Sequence, residues 1–140
     1  MHTLAYIWRG TYTVFMSQTQ VFIERLEQER SRLVAELDTL GSRDQTKDAT
    51  WTVRVPDLDI QQSDENELAD KAEEFHIDSI VLDELDARYR LVCHALEKAS
   101  GGTYGTCEVC DAPIEHDRLE ANAAARTCKT HLGQEDTLQL

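Results

Sequence analysis

The feature that most constrains this 140-residue chain lies near its end. Cys107-Glu-Val-Cys110 is followed, after seventeen residues, by Cys128-Lys-Thr-His131. Each pair leaves two residues between its donors, a spacing that lets one tight turn aim both side chains at a single point. Two such pairs converge readily on one tetrahedral ion, and thiolates with an imidazole suit zinc. Four protein donors close the coordination sphere and leave no position for a reactive water. The expected role is therefore structural, with one zinc ion, and not hydrolytic. So short a segment cannot bury a core of its own, which makes metal binding part of its folding. The competing readings are a metal-free remnant held by packing, and a disulfide, which a cytoplasmic setting disfavours.

Upstream, the apolar residues keep helical time. Ile23, Leu26, Arg30, Leu33, Leu37 and Leu40 step by three and four over Ser17 to Leu40, the spacing of a helix laid against another helix. Arg30 on this seam can carry its charge outward on a long stem. Gly41 is expected to stop the helix in the left-handed cap conformation. A second seam runs from Asp64 to about Ser100 through Leu68, Ala72, Phe75, Ser79, Leu82, Asp86, Tyr89, Cys93 and Leu96. A neighbouring stripe of Val81, Leu85, Val92 and Ala95 widens it, and Gly101-Gly102 ends it. Aromatic residues make up only 6% of the chain, too few for a compact β-rich core, while 41% hydrophobic content excludes a disordered tail. Neither helix can bury its seam alone.

The expected fold is mainly α: a long antiparallel helical hairpin, or coiled coil, over 17–100, and a small zinc-finger module with a short tail over 101–140. The connector, 42–63, lies near the hairpin tip. It holds Pro56, an isolated Trp51 and a stretch, Trp51 to Val55, that could be briefly extended. Residues 1–16 are expected to be a flexible extension, because Met16 reads as a second, more natural start. The first fifteen residues contain no continuous apolar run and no cleavage site, so neither a signal peptide nor a membrane span is expected and the protein is placed in the cytoplasm. Cys93 falls on the second seam and reads as a buried apolar residue. His76, His94 and His116 are isolated and read as surface or packing residues.

Charge narrows the partners. Fourteen Lys and Arg face 27 Asp and Glu, a formal charge of -13. That balance removes the attraction to phosphates that supplies most DNA affinity, so direct DNA binding is excluded from the expected functions. From Asp57 to Asp86 there are twelve acidic residues and one basic one, Lys71. Such a run is usually a solvated face, and can be a surface for a basic or metal-bearing partner. An enzyme is the least supported class, since no nucleophile–base pair, phosphate-cradling glycine loop or open metal position can be read.

Tyr104-Gly-Thr-Cys107-Glu-Val-Cys110, then Pro113-Ile114, Arg118-Leu-Glu-Ala121 and Cys128-Lys-Thr-His131, resembles the zinc finger of the DksA/TraR proteins. The resemblance spans roughly Ser17 to His131. It implies a helical hairpin emerging from a zinc-bearing part, and binding to RNA polymerase through the secondary channel rather than to DNA. Acidic residues at the hairpin tip then act near the catalytic centre, in several members together with ppGpp. The family tip is Asp, two residues, Asp, one residue, Ala; here Asp64, Glu67 and Ala69 stand in those places. A second frame, Glu67, Asp70 and Ala72, matches the letters but not the distance to the first knuckle. Asp64 and Glu67 also fit a capping box, a role compatible with the first.

The chain departs from the family at Asp111, where glycine is usual, at His131 for the fourth cysteine, and at Glu67 for the second tip aspartate. Its second helix carries only Lys71, Arg88, Arg90 and Lys98 as basic residues, and nine residues follow His131. Two further readings remain open: a zinc-stabilised protein–protein interaction module, dimeric or not, that keeps the family fold without polymerase activity, and a thiol sensor that loses zinc on oxidation.

Overall fold

The structure, a computed structural model, describes residues 4–43, 50–55, 57 and 64–140, with side chains from Gln18 onward. The expected connector falls partly outside these residues, Pro56 included. The elements are α1 (Leu4–Leu40), β1 (Gly41–Arg43), β2 (Trp51–Val53), α2 (Glu65–Ser100), α3 (His116–Ala121) and a 3-10 helix (Lys129–Thr137). The chain is mainly helical with one small two-stranded sheet. It divides into two compact units, Met1–Arg30 with Leu91–Leu140, and Ser31–Arg90.

Helix α1 begins at Leu4 and not at Ser17, so the backbone of 4–16 is helical where the sequence suggested an extension. No proline interrupts that stretch, and its one glycine, Gly10, costs about 1 kcal/mol, less than a new helix start would.

In the Ser31–Arg90 unit, Leu37 of α1, Trp51 of β2 and Leu82 of α2 form a buried core. Val34, Leu40, Val53, Leu85 and Tyr89 pack around it. The seam residues of both helices thus meet here, and the isolated tryptophan is what joins the connector to them. The two strands pair antiparallel, Gly41 opposite Val53 and Arg43 opposite Trp51.

Gly41 corrects one expectation. It is not among the residues with positive φ, and it opens β1 instead of forming a left-handed cap. Its glycine identity answers close approach: a Cβ there would meet the Thr52 carbonyl oxygen and lie 2.6 Å from Leu82 Cδ1. The end of α1 is capped from the sheet instead. Arg54 N–H donates to the Leu40 carbonyl (3.2 Å), and its guanidinium Nη2 donates to the Asp38 carbonyl (2.8 Å). These satisfy carbonyls that a helix end leaves without intrahelical donors.

Along α2 the seam is buried or half-buried at Leu68, Phe75, Ser79, Leu82 and Asp86, while Ala72 is exposed. The neighbouring stripe divides. Val92 and Ala95 are buried, whereas Val81 is 40% exposed. In the other unit, Phe22 and Leu26 of α1 and Val92 and Ala95 of α2 are buried. Ile23, Glu27 and Arg30 line one depression with Leu96, Ala99 and Ser100. Low numbers on α1 therefore meet high numbers on α2, as an antiparallel hairpin requires. At the end of α2, where Gly101-Gly102 is expected to stop the helix, Thr103 N–H donates back to the Lys98 carbonyl (2.9 Å) and Gly102 takes φ 76°, a left-handed helix end. Among the described residues no helix is long and apolar enough to cross a membrane.

Candidate metal centre

The first knuckle is shaped by backbone hydrogen bonds that need little from the side chains. Thr106 and Pro113 form a bridge; Cys107 N–H donates to the Ala112 carbonyl (2.8 Å) and Asp111 N–H to the Cys107 carbonyl (3.0 Å). Gly105 enters this turn at φ 80° and Asp111 leaves it at φ 56°. Asp111 is the residue that replaces the family's usual glycine. It does hold the left-handed conformation, which aspartate tolerates better than most residues. In the second knuckle Cys128 precedes the 3-10 helix, and His131 N–H donates to the Cys128 carbonyl (3.0 Å). Glu115 accepts from Lys129 N–H (3.0 Å) and so anchors the turn from the side of α3.

These turns bring Cys107, Cys110, Cys128 and His131 together, with one donor atom of each within 4.8 Å of all the others. Cys110 and Cys128 sulfurs are 3.9 Å apart, Cys107 Sγ lies 3.8 Å from His131 Nδ1, and Cys128 Sγ lies 3.2 Å from the same nitrogen. Zinc–sulfur bonds of about 2.3 Å at the tetrahedral angle separate sulfurs by roughly 3.8 Å, so the donor set fits the ion. The four residues form a structural zinc site, with His131 presenting Nδ1. Burial works against the Cys107 thiolate, but backbone donors at Cys128, Val109 and Cys110 prevail and hold its pKa at about 6. Cys110 is shifted upward: a bond from Ala112 lowers it, while desolvation and the two neighbouring cysteines raise it. Cys93 is half-buried and lies outside this cluster.

Around the ligands runs a charged network that sequence reasoning missed. Glu108, inside the first knuckle, receives Arg126 Nε (2.9 Å) and Nη2 (2.7 Å) on one carboxylate oxygen. His94 Nε2 (2.7 Å) and Lys98 Nζ (3.3 Å) from α2 reach the other. Burial opposes the Glu108 charge, yet Arg126, His94 and Lys98 together hold its pKa down to about 2. Arg126, 4% exposed, also donates to the carbonyls of Leu138 and Gln139, both at 2.9 Å. Glu135 accepts from Arg118, from Arg126 N–H and from the Thr127 hydroxyl. The Arg118-Leu-Glu-Ala121 run thus supplies an ion-pair partner and, in Leu119, a buried core residue. The only sequence signal for this network was His94 and Lys98 one helical turn apart.

Helix α1 holds the finger from its other side. Phe22 makes tilted ring contacts with Tyr104 (6.3 Å between ring centres) and with His116 (5.5 Å), and Arg25 donates to the Glu120 carbonyl (3.2 Å). The Tyr104 hydroxyl donates to the Ala123 carbonyl (2.6 Å); burial pushes its pKa up to about 12, against the pull of Arg25. His94 and His116 are thus packing and pairing residues and not ligands.

The residues expected at the tip lie in the other unit. Asp64 caps α2: its Oδ1 accepts from Glu67 N–H (2.8 Å), and its carbonyl from Leu68 N–H (3.1 Å). The Glu67 carboxylate pairs with Lys71 one turn on (2.9 Å). Asp64, Glu67 and Ala69 are all exposed.

The family model "Prokaryotic dksA/traR C4-type zinc finger" matches residues 102–130, ending one residue before His131. No curated protein sequence matches the chain significantly. Among solved structures the chain is similar to transcription factor DksA2 from Pseudomonas aeruginosa, at 23% identity and a TM-score of 0.61, covering 86% of this chain and 84% of that one. The finger is therefore of the dksA/traR type, and the fold is like that of DksA2.

Proposed function

We propose that this protein, which carries a DksA/TraR-type zinc finger on a DksA-like fold, is a non-catalytic regulator of transcription. It acts in the cytoplasm on RNA polymerase and does not contact DNA. The observation that carries this reading is the joining of a closed four-donor zinc site to an antiparallel helical hairpin whose second helix starts at an exposed acidic cap. In the proposed mechanism the hairpin enters the secondary channel. Asp64 and Glu67 then bring negative charge near the catalytic magnesium or its basic surroundings. There they bias mobile elements of the enzyme between states by differential attraction. Asp64 is suited to this because its cap bond fixes the carboxylate on the helix end, and Glu67 because it adds a second exposed carboxylate in the first turn. Ala69 would keep the approach narrow. The zinc ion takes no part in the chemistry; it fixes the fold of the finger at the base of α2.

The test is binding of the zinc-loaded protein to the host's core polymerase in competition with a known secondary-channel factor, with and without ppGpp. Competition is expected. Asp64→Asn with Glu67→Gln should bind but lose the effect on open-complex lifetime. If the double variant regulates as the parent does, the tip assignment is wrong. If the folded, zinc-loaded protein does not bind, the fold serves another partner, as its sparse basic residues would then indicate.

A further inference from the structure

We propose that the outward face of α2 between Asp70 and Glu84 is a docking surface for a basic amphipathic helix of a partner protein. The packed side of this helix presents Leu68, Phe75, Leu82 and Asp86 at seven- and four-residue steps. The opposite side carries a second apolar set at three- and four-residue spacing. Ile77 is 52% exposed, Ile80 56% and Val81 40%, three branched aliphatic side chains on one face of a single helix. Isolated exposed aliphatics need no explanation, but a contiguous set rimmed by charge marks an interaction site. Here the rim has one sign. Asp70, Glu73, Glu74 and Asp78 line an open depression with Ile77, and Glu84 continues the row. Two cations flank the row: Lys71, which pairs with Glu67, and Arg88, one helical turn past Glu84.

Charge selects the occupant. A nucleic acid or an anionic lipid surface would set like charge against this rim. A second copy of the same face would oppose two acidic rows around each apolar centre. A helix with aliphatic residues at three- and four-residue steps and Lys or Arg beside them satisfies both parts at once, the helix-against-helix mode of recognition. Its apolar anchors would cover Ile77, Ile80 and Val81, and its cations would meet the rim, which sets orientation and association rate more than affinity.

Polymerase plays no part in the test, so its outcome is independent of the proposed function. The full-length zinc-loaded protein is titrated with a fluorescent synthetic helix about five turns long, bearing a leucine stripe flanked by lysines. A control peptide has the same composition with its leucines scattered around the helix. The ordered peptide is expected to bind at least about tenfold tighter than the scattered one. Ile77→Ser with Ile80→Ser should weaken it about tenfold or more through faster dissociation. Glu73→Gln with Glu74→Gln should slow association and flatten the salt dependence. All four residues are surface positions, and circular dichroism checks that each variant stays helical. Equal affinity for the two peptides overturns the proposal in favour of charge alone. Failure of both to bind overturns it, as does indifference to the isoleucine changes. A wild-type dimer that those changes dissolve overturns it in favour of a second copy of this chain.

Discussion

Asp111 and Gly41 show how much a single backbone position can decide. Asp111 holds φ 56° at the exit of the first knuckle, where most side chains cost about 1–2 kcal/mol. Asp111→Val should weaken zinc retention by about that much in a competition with a chromogenic chelator, and Asp111→Gly should leave it within about 0.5 kcal/mol. Gly41 needs no left-handed backbone, but a methyl group there would run into the Thr52 carbonyl and Leu82. Gly41→Ala is expected to cost about 1–3 kcal/mol, read as a lowered thermal midpoint with zinc affinity unchanged, because the clash lies in the Ser31–Arg90 unit. At this scale the sequence is legible where chemistry is scarce. Cysteine and histidine in paired spacing have few other uses, so the four ligands and the tolerance of Asp111 could be read in advance. Glu108 and Arg126 could not. A charged residue is usually solvated, and nothing in a string of letters says that one arginine will be 4% exposed and matched to one glutamate.

Between elements, the Glu108 cluster couples the first knuckle to α2 through His94 and Lys98, and to the second knuckle through Arg126. Breaking a buried pair leaves a charge without compensation, so Arg126→Met should destabilise the finger by about 3–5 kcal/mol in thermal or denaturant unfolding. Glu108 gives the pH test. Its folded pKa of about 2 lies below the ordinary 4.5, so its contribution is fully present above pH 4.5 and lost as pH falls from there towards 2. Protonation of the zinc thiolates acts on the same curve, so the informative quantity is a difference. The stability advantage of wild type over Glu108→Gln should shrink as pH falls from 4.5 towards 2. The helices themselves were readable from three- and four-residue steps. The small sheet was half readable: β2 carries Trp51 and Val53, but its partner Gly41-Ser-Arg43 has no strand character of its own and is recruited by the chain that folds back on it.

At the scale of the whole molecule, the zinc site and the Trp51 core lie in different units, and they should respond differently to metal loss. A strong chelator is expected to release zinc and open the 101–140 segment to limited proteolysis while most helical circular dichroism remains, because only α3 and the 3-10 helix depend directly on the ion. Equal loss of both signals would mean that the helices lean on the finger more than their buried seams imply. The division into two units was not readable, because each seam runs through its helix without a break in pattern. One further consequence concerns how this protein can be handled. Two of the guanidinium bonds of Arg126 end on the carbonyls of Leu138 and Gln139, so the main chain of the final residues works as a clasp laid over that arginine. Deleting 138–140 should lower the melting temperature by less than Arg126→Met does, because Arg126 keeps its Glu108 pair. Affinity handles, fluorescent fusions and immobilisation chemistry belong at the amino terminus, where they leave that clasp in place.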